Sequence, residues 1–146
     1  MTFTIQGEAD YIKFTYNEVF GFPNETCHWG GYDSQVTLEI KSRNFRVIER
    51  FYTSTGELYE FAQRLKIANE NIHGVVTFIS YEGNLEFTMS YDKLGHVRIK
   101  GVFSEQNEFS NELIFEFNSD QSFVNRALEE ISVITEKYGG MNGIKY

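Results

Sequence analysis

The chain is poor in several residue types, and each scarcity narrows what it can be. Among its 146 residues Pro23 is the only proline, Cys27 the only cysteine and Trp29 the only tryptophan. One proline leaves no room for a proline-rich linker. One cysteine cannot form an internal disulfide, and it fits a reduced, cytoplasmic setting. No apolar run approaches the roughly 18 residues of a membrane-spanning helix. The opening MTFTIQGEAD has neither a basic segment nor an apolar stretch, so no signal peptide is expected. Positive charge is also scarce: 13 Lys and Arg against 21 Asp and Glu give a net charge of -8. Such a chain should repel nucleic acid and anionic membranes and attract a basic partner. Acidity of this size also serves solubility alone.

Catalytic and metal motifs are missing as well. His28, His73 and His96 are isolated, and Cys27 and His28 are adjacent rather than spaced as metal ligands. There is no HExxH, CxxC, GxGxxG or Walker loop. The glycines of Gly139–Gly143 follow a helical pattern instead of opening one, the wrong side for cradling phosphate. Nothing supplies Cys27 with a base. The expectation is a protein with no catalytic residues, no cofactor and no metal.

What is abundant is aromatic: Phe occurs 14 times and Tyr 9 times. Together with 41% hydrophobic residues this predicts one domain over residues 1–146 with a real core. Apolar and polar residues alternate over 2–6, 10–17, 35–42 and 45–53, the mark of strands. In the last of these Phe45, Val47 and Phe51 share a face with Glu49. Ser54-Thr55-Gly56-Glu57 then forms a capping box. It opens a helix whose inner stripe is Leu58, Phe61, Ala62, Leu65 and Ala68, with Glu60 and Arg64 paired outside and an end near 69–71. Further strands follow at 74–80, 85–91, 96–103 and 112–118, the first apolar enough to suggest a central strand. A hairpin around Gly95 should place Leu85 opposite Phe103 and Met89 opposite Ile99, and the next strand should bring Glu116 opposite Lys100.

In Asn111–Ile131 a strand runs straight into a helix capped by Asp120 or Ser119, with Val124, Ala127, Leu128, Ile131, Thr135 and Tyr138 as its stripe. Gly139 should stop it, leaving Ile144 and Tyr146 to dock or fray. The predicted fold is α+β: a mainly antiparallel, curved β-sheet of about eight strands with two amphipathic helices, in the order ββββαββββα. The repeated order hints at duplication, although the matching residues are those any strand-to-helix junction needs.

Two stretches are left for function. Residues 18–34 form a long loop with Glu18, Glu25 and Asp33, no cation, and the aromatics Phe20, Phe22, Trp29 and Tyr32. Its rings either plug the core or bind a partner. Between Lys100 and Arg126 lie Glu105, Glu108, Glu112, Glu116 and Asp120 with no cation. That run is either a solvated face or a docking surface for a basic protein.

Four blocks carry a family resemblance: Ser54-Thr55-Gly56-Glu57-Leu58-Tyr59-Glu60-Phe61, then Ser80-Tyr81-Glu82-Gly83-Asn84-Leu85-Glu86, then Gly95-His96-Val97 with Gly101, and Phe115-Glu116-Phe117-Asn118-Ser119-Asp120-Gln121-Ser122. In order and spacing, over about residues 35–138, the chain resembles the WapI family of immunity proteins. These are small cytoplasmic bacterial proteins encoded beside WapA-type or Rhs-type polymorphic toxins. The resemblance implies a non-enzymatic inhibitor of a cognate toxin domain. Such toxins are often nucleases with basic substrate-binding faces, which an acidic protein suits. The expected partner-binding residues are Glu105, Glu108, Glu112 and Glu116, with Trp29, Tyr32 and Asp33 from the loop. The alternative is a small-ligand-binding or general protein-interaction domain whose aromatics line a pocket.

Overall fold

The computed structural model describes residues 1–144. Tyr146, expected to dock or fray, lies outside them. Eight strands and two helices follow one another as β1 (Thr2–Gln6), β2 (Tyr11–Val19), β3 (Asp33–Ser42), β4 (Phe45–Ser54), α1 (Thr55–Asn71), β5 (Val75–Ile79), β6 (Leu85–Tyr91), β7 (His96–Ser104), β8 (Glu112–Asp120) and α2 (Gln121–Tyr138). The strands form two antiparallel four-stranded sheets, β1-β2-β3-β4 and β5-β6-β7-β8, each in chain order. The expected registers are present: Leu85 pairs with Phe103, Met89 with Ile99 and Lys100 with Glu116.

Each sheet has one apolar face, and the two faces meet. Phe14 of β2 is wholly buried and stacks on Phe3 at 4.4 Å. It also makes edge contacts at 5.8 Å with Phe51 of β4 and, across the interface, with Phe78 of β5. Phe78 continues the cluster to Phe61 of α1 and Phe87 of β6, both at 5.4 Å. Buried hydroxyls tie the sheets at their rims. The Ser119 hydroxyl donates to the Gln6 carbonyl at 2.5 Å, and the Ser42 hydroxyl to the Glu116 carbonyl at 3.3 Å. Gly7 permits the first contact, since a Cβ there would lie 2.5 Å from the Asn118 carbonyl oxygen.

The two ββββα halves interlock. Helix α1, which ends the first half, packs on β5, the first strand of the second. Helix α2 packs on β1, the first strand of the first half, where Glu130 accepts the Thr4 amide at 3.1 Å. Between the helices, buried Asn69 donates to Asn125 at 2.7 Å and accepts the Tyr91 hydroxyl at 2.6 Å.

Four expectations need correction. The 74–80 strand is an edge, pairing only with β6. Val76 and Phe78 point inward, while Val75 and Ile79 are exposed; an apolar run cannot by itself distinguish a strand buried on both faces from an edge. Phe45 is 68% exposed, at the start of β4, where burial begins only at Phe51. Arg64 donates to the Thr77 carbonyl at 3.2 Å, so it is anchored to β5 and not to Glu60. Along α2, Ile134 joins the buried stripe, whereas Leu128 and Thr135 are only partly buried.

Both helices begin at the last residue of a strand. Asp120 caps α2 by accepting the Phe123 amide at 2.9 Å. At α1 the capping box is complete: the Glu57 amide donates to the Ser54 hydroxyl at 3.1 Å, and the Glu57 carboxylate accepts the Ser54 amide at 2.9 Å and the Thr53 hydroxyl at 2.6 Å. Burial nevertheless pushes the Glu57 carboxyl above its usual range, and Asp33 nearby adds to the effect. The folded state therefore prefers the protonated acid. That preference contributes stability fully below the ordinary Glu range and loses it as pH rises through the raised value.

Two outcomes are expected. Phe14→Ala should cost about 3–5 kcal/mol in urea unfolding, because a ring between the sheets leaves a cavity. Glu57→Gln keeps an oxygen for the Ser54 amide and removes the titration. Its stability relative to the parent, followed by thermal unfolding from pH 4 to pH 8, should improve as pH rises. A variant that instead loses ground towards neutral pH would mean that the carboxylate charge itself supports α1.

Candidate protein-binding surface

The long loop is seated on the N-terminus of α1. The first amides of a helix have no partner within it, and here the loop supplies them. The Thr55 amide donates to the Tyr32 carbonyl at 2.9 Å and the Gly56 amide to the Gly30 carbonyl at 3.2 Å. The approach needs glycine on both sides. A Cβ on Gly56 would lie 2.4 Å from the Gly30 carbonyl carbon, and Gly31 has φ of +62. Side chains of the loop then divide. Phe22 and Tyr32 pack edge-on at 5.3 Å, and both touch Tyr138 at the end of α2. The Tyr32 hydroxyl donates to the Pro23 carbonyl at 2.8 Å and accepts the Ile144 amide at 3.0 Å. Tyr32 is thus fully buried and joins the loop to the segment after α2. It offers no surface to a partner, which corrects its expected place among the anchors.

Trp29 has the opposite fate. It is 48% exposed and lies flat on Tyr81, with centroids 5.4 Å apart and planes 2° from parallel. The Tyr81 hydroxyl donates to the Asp33 carboxylate at 2.8 Å. Burial, then this bond to an anion, raise the Tyr81 hydroxyl above the ordinary tyrosine range and keep it a donor. Trp29 and Asp33 are therefore held by one tyrosine in the β5–β6 turn. In that turn the Ser80 hydroxyl donates to Asn84 at 2.9 Å.

The same turn reaches the acidic run. The Ser104 amide donates to the Asn84 carbonyl at 2.8 Å, and the Gln106 side chain donates to the Glu82 carbonyl at 3.3 Å. A groove of ≈ 450 Å³ opens here between β4 and the β7–β8 loop. Glu49, Glu82 and Glu105 face it, with Arg50 and Tyr52 on the β4 wall and the buried rings of Phe51 and Phe103 beneath. Glu108 is exposed on the same loop, and Glu112 follows at the start of β8, where it accepts the Ser104 hydroxyl at 3.3 Å. Trp29, Asp33, Glu105, Glu108 and Glu112 thus share one end of the molecule.

Glu116 does not join them. It lies on the outer face of the second sheet, 3.0 Å from Arg98 and 4.0 Å from Lys100, and these cations balance its charge. Asp120 is occupied in capping α2. Sequence reasoning missed Tyr81 and Glu82, the link between the two stretches, and Glu49. Tyr81 and Glu82 stood in one of the resembling blocks, but a Gly-Asn turn hides what its first residues touch.

The remaining chemistry is sparse. The Cys27 thiol donates to the Gly30 carbonyl at 3.5 Å, and His28 packs edge-on against Trp29. Among the described residues no group of three or more His, Cys, Asp or Glu side chains is placed to hold a metal ion. A groove of ≈ 950 Å³ lies across the β1–β2 turn, the β3–β4 turn and β7–β8. Its walls carry the Lys41–Asp10 and Arg98–Glu116 pairs, unlike a pocket for an apolar ligand. No helix among the described residues is long and apolar enough to cross a membrane.

Comparison with known proteins finds no significant match among curated proteins and none among solved structures. A family model does match, and it spans nearly the whole fold. With residues 3–139 covered by that model, the chain belongs to the immunity protein WapI-like family.

Proposed function

We propose that this protein is a non-enzymatic immunity protein that binds and neutralises the toxin domain of its own system in the cytoplasm, using the acidic end of the molecule. Membership of the family supports a toxin as the partner. The observation that carries the choice of surface is the link through Tyr81 and Glu82, which joins the acidic loop to Trp29 and Asp33. A large, half-exposed aromatic beside carboxylates suits an interface: the ring supplies area at low entropic cost, and the charges steer encounter. The complementary partner is a toxin with a basic working surface, as a nuclease has. An acidic protein seated there would block substrate by occupying the place of phosphate, with no chemistry of its own.

The test is binding to the toxin domain encoded beside this gene, measured at about 50 and 300 mM salt. Nanomolar affinity that weakens as salt rises is expected, because exposed charge pairs are screened. A Glu105→Lys, Glu112→Lys double variant should weaken binding at least about tenfold and flatten the salt dependence. Tight binding indifferent to salt and to both substitutions would move the interface off the acidic end. An absence of binding at micromolar concentrations would remove that toxin as the partner.

A further inference from the structure

The outer face of the second sheet is not covered by either helix, and its rows of paired residues differ sharply in character. One row, Thr77, Thr88, Lys100 and Glu116, is wholly polar, as a solvated sheet face should be. The next row towards the acidic end is Ile79, Glu86, Val102 and Ile114. Ile79 is 53% and Ile114 77% exposed. Single exposed aliphatic residues are ordinary. Val102, beside Ile114 on β7, is partly buried; three β-branched residues in one row, next to a polar row of the same strands, make a strip facing outward.

The charges around the strip are distributed unevenly. Glu86 lies within it, and Glu112 adjoins Ile114 on the same face of β8. No cation among the described residues forms an ion pair with either. Arg98 and Lys100 lie on the far side of the strip, where they are engaged with Glu116. An occupant therefore meets an aliphatic row that carries Glu86 within it and Glu112 at its border. A second copy of this chain fits poorly. A two-fold interface centred on the strip would bring the Glu86 and Glu112 carboxylates of both copies together, and like charges across an interface are costly.

We infer that this strip is the apolar core of the toxin-binding surface, with the acidic loop as its rim, and that it receives an apolar patch of the toxin flanked by lysine or arginine. The inference rests on the toxin-neutralising reading and adds to it the residues that hold the complex together once charge has brought it into register. An apolar centre within a polar rim is the common anatomy of protein interfaces, and a few central residues dominate their affinity.

The experiment is affinity for the toxin domain encoded beside this gene, using Ile79→Ser with Ile114→Ser. These changes leave charge untouched. Ile48→Ser on β4 and Ile67→Ser on α1 are the controls, since both residues are similarly exposed, at 56% and 60%. The double variant should bind at least about 30-fold more weakly, and each control within about threefold of the parent. Thermal unfolding confirms that all four proteins fold. If the parent binds and the double variant binds equally well, the strip is not the interface, although the toxin-neutralising reading stands. If the parent itself does not bind, that reading fails for this toxin and the inference falls with it. Sedimentation supplies the remaining arm: a dimer of the parent that dissociates in the double variant would assign the strip to a second copy and overturn the toxin as its occupant.

Discussion

Neither four-stranded sheet can satisfy its own apolar face, and the architecture follows from that constraint. A two-sided layer needs something to cover it. Each half of this chain makes a helix, yet neither helix covers the start of its own sheet. Helix α1 lies on β5 and α2 on β1, while Phe14 and Phe78 close the space between the sheets. The exchange places both helices against the edge strands β1 and β5. The helices touch the other edges, β4 and β8, less, and the groove beside the acidic loop opens against β4.

The character of that end depends on hydrogen bonds more than on hydrophobicity. The amides opening α1 need acceptors, and the loop before β3 meets the need with the carbonyls of Gly30 and Tyr32. Once the backbone is fixed there, Tyr32 has only the interior to enter, and its hydroxyl finds Pro23 and Ile144. Trp29, three residues earlier, is left outside against Tyr81. A structural requirement of a helix end thus presents an aromatic ring beside a cluster of carboxylates. The same loop plugs the core with one set of rings and displays another.

Much of the fold was legible because period and pairing are local properties. Alternation located the strands, and matching apolar faces settled Leu85 opposite Phe103. The Ser54–Glu57 box marked the start of α1 because capping needs those side chains at that spacing. What was illegible depends on the third dimension. GVVTFIS could not reveal that β5 has a neighbour on one side only. Tyr32 and Trp29 are both aromatic residues in one acidic loop, and nothing in their order says which is buried. Glu112 and Glu116 share a strand face, yet only Glu116 meets Arg98, whose position comes from the neighbouring strand. The candidate surface was therefore half visible: its acidic loop could be read, but not the Tyr81 turn that joins it to Asp33.

The exchanged helices also bear on how the chain is made. Synthesis runs from β1 towards α2, and folding of a nascent chain follows what has already emerged. The strand β1 appears first, but the helix that lies on it comes only after every other element. The first sheet must therefore wait with part of its apolar face open while the second is still being translated. During that interval it is exposed to the hazards of any uncovered strand edge. Completion of α2 then supplies the cover that β1 lacked.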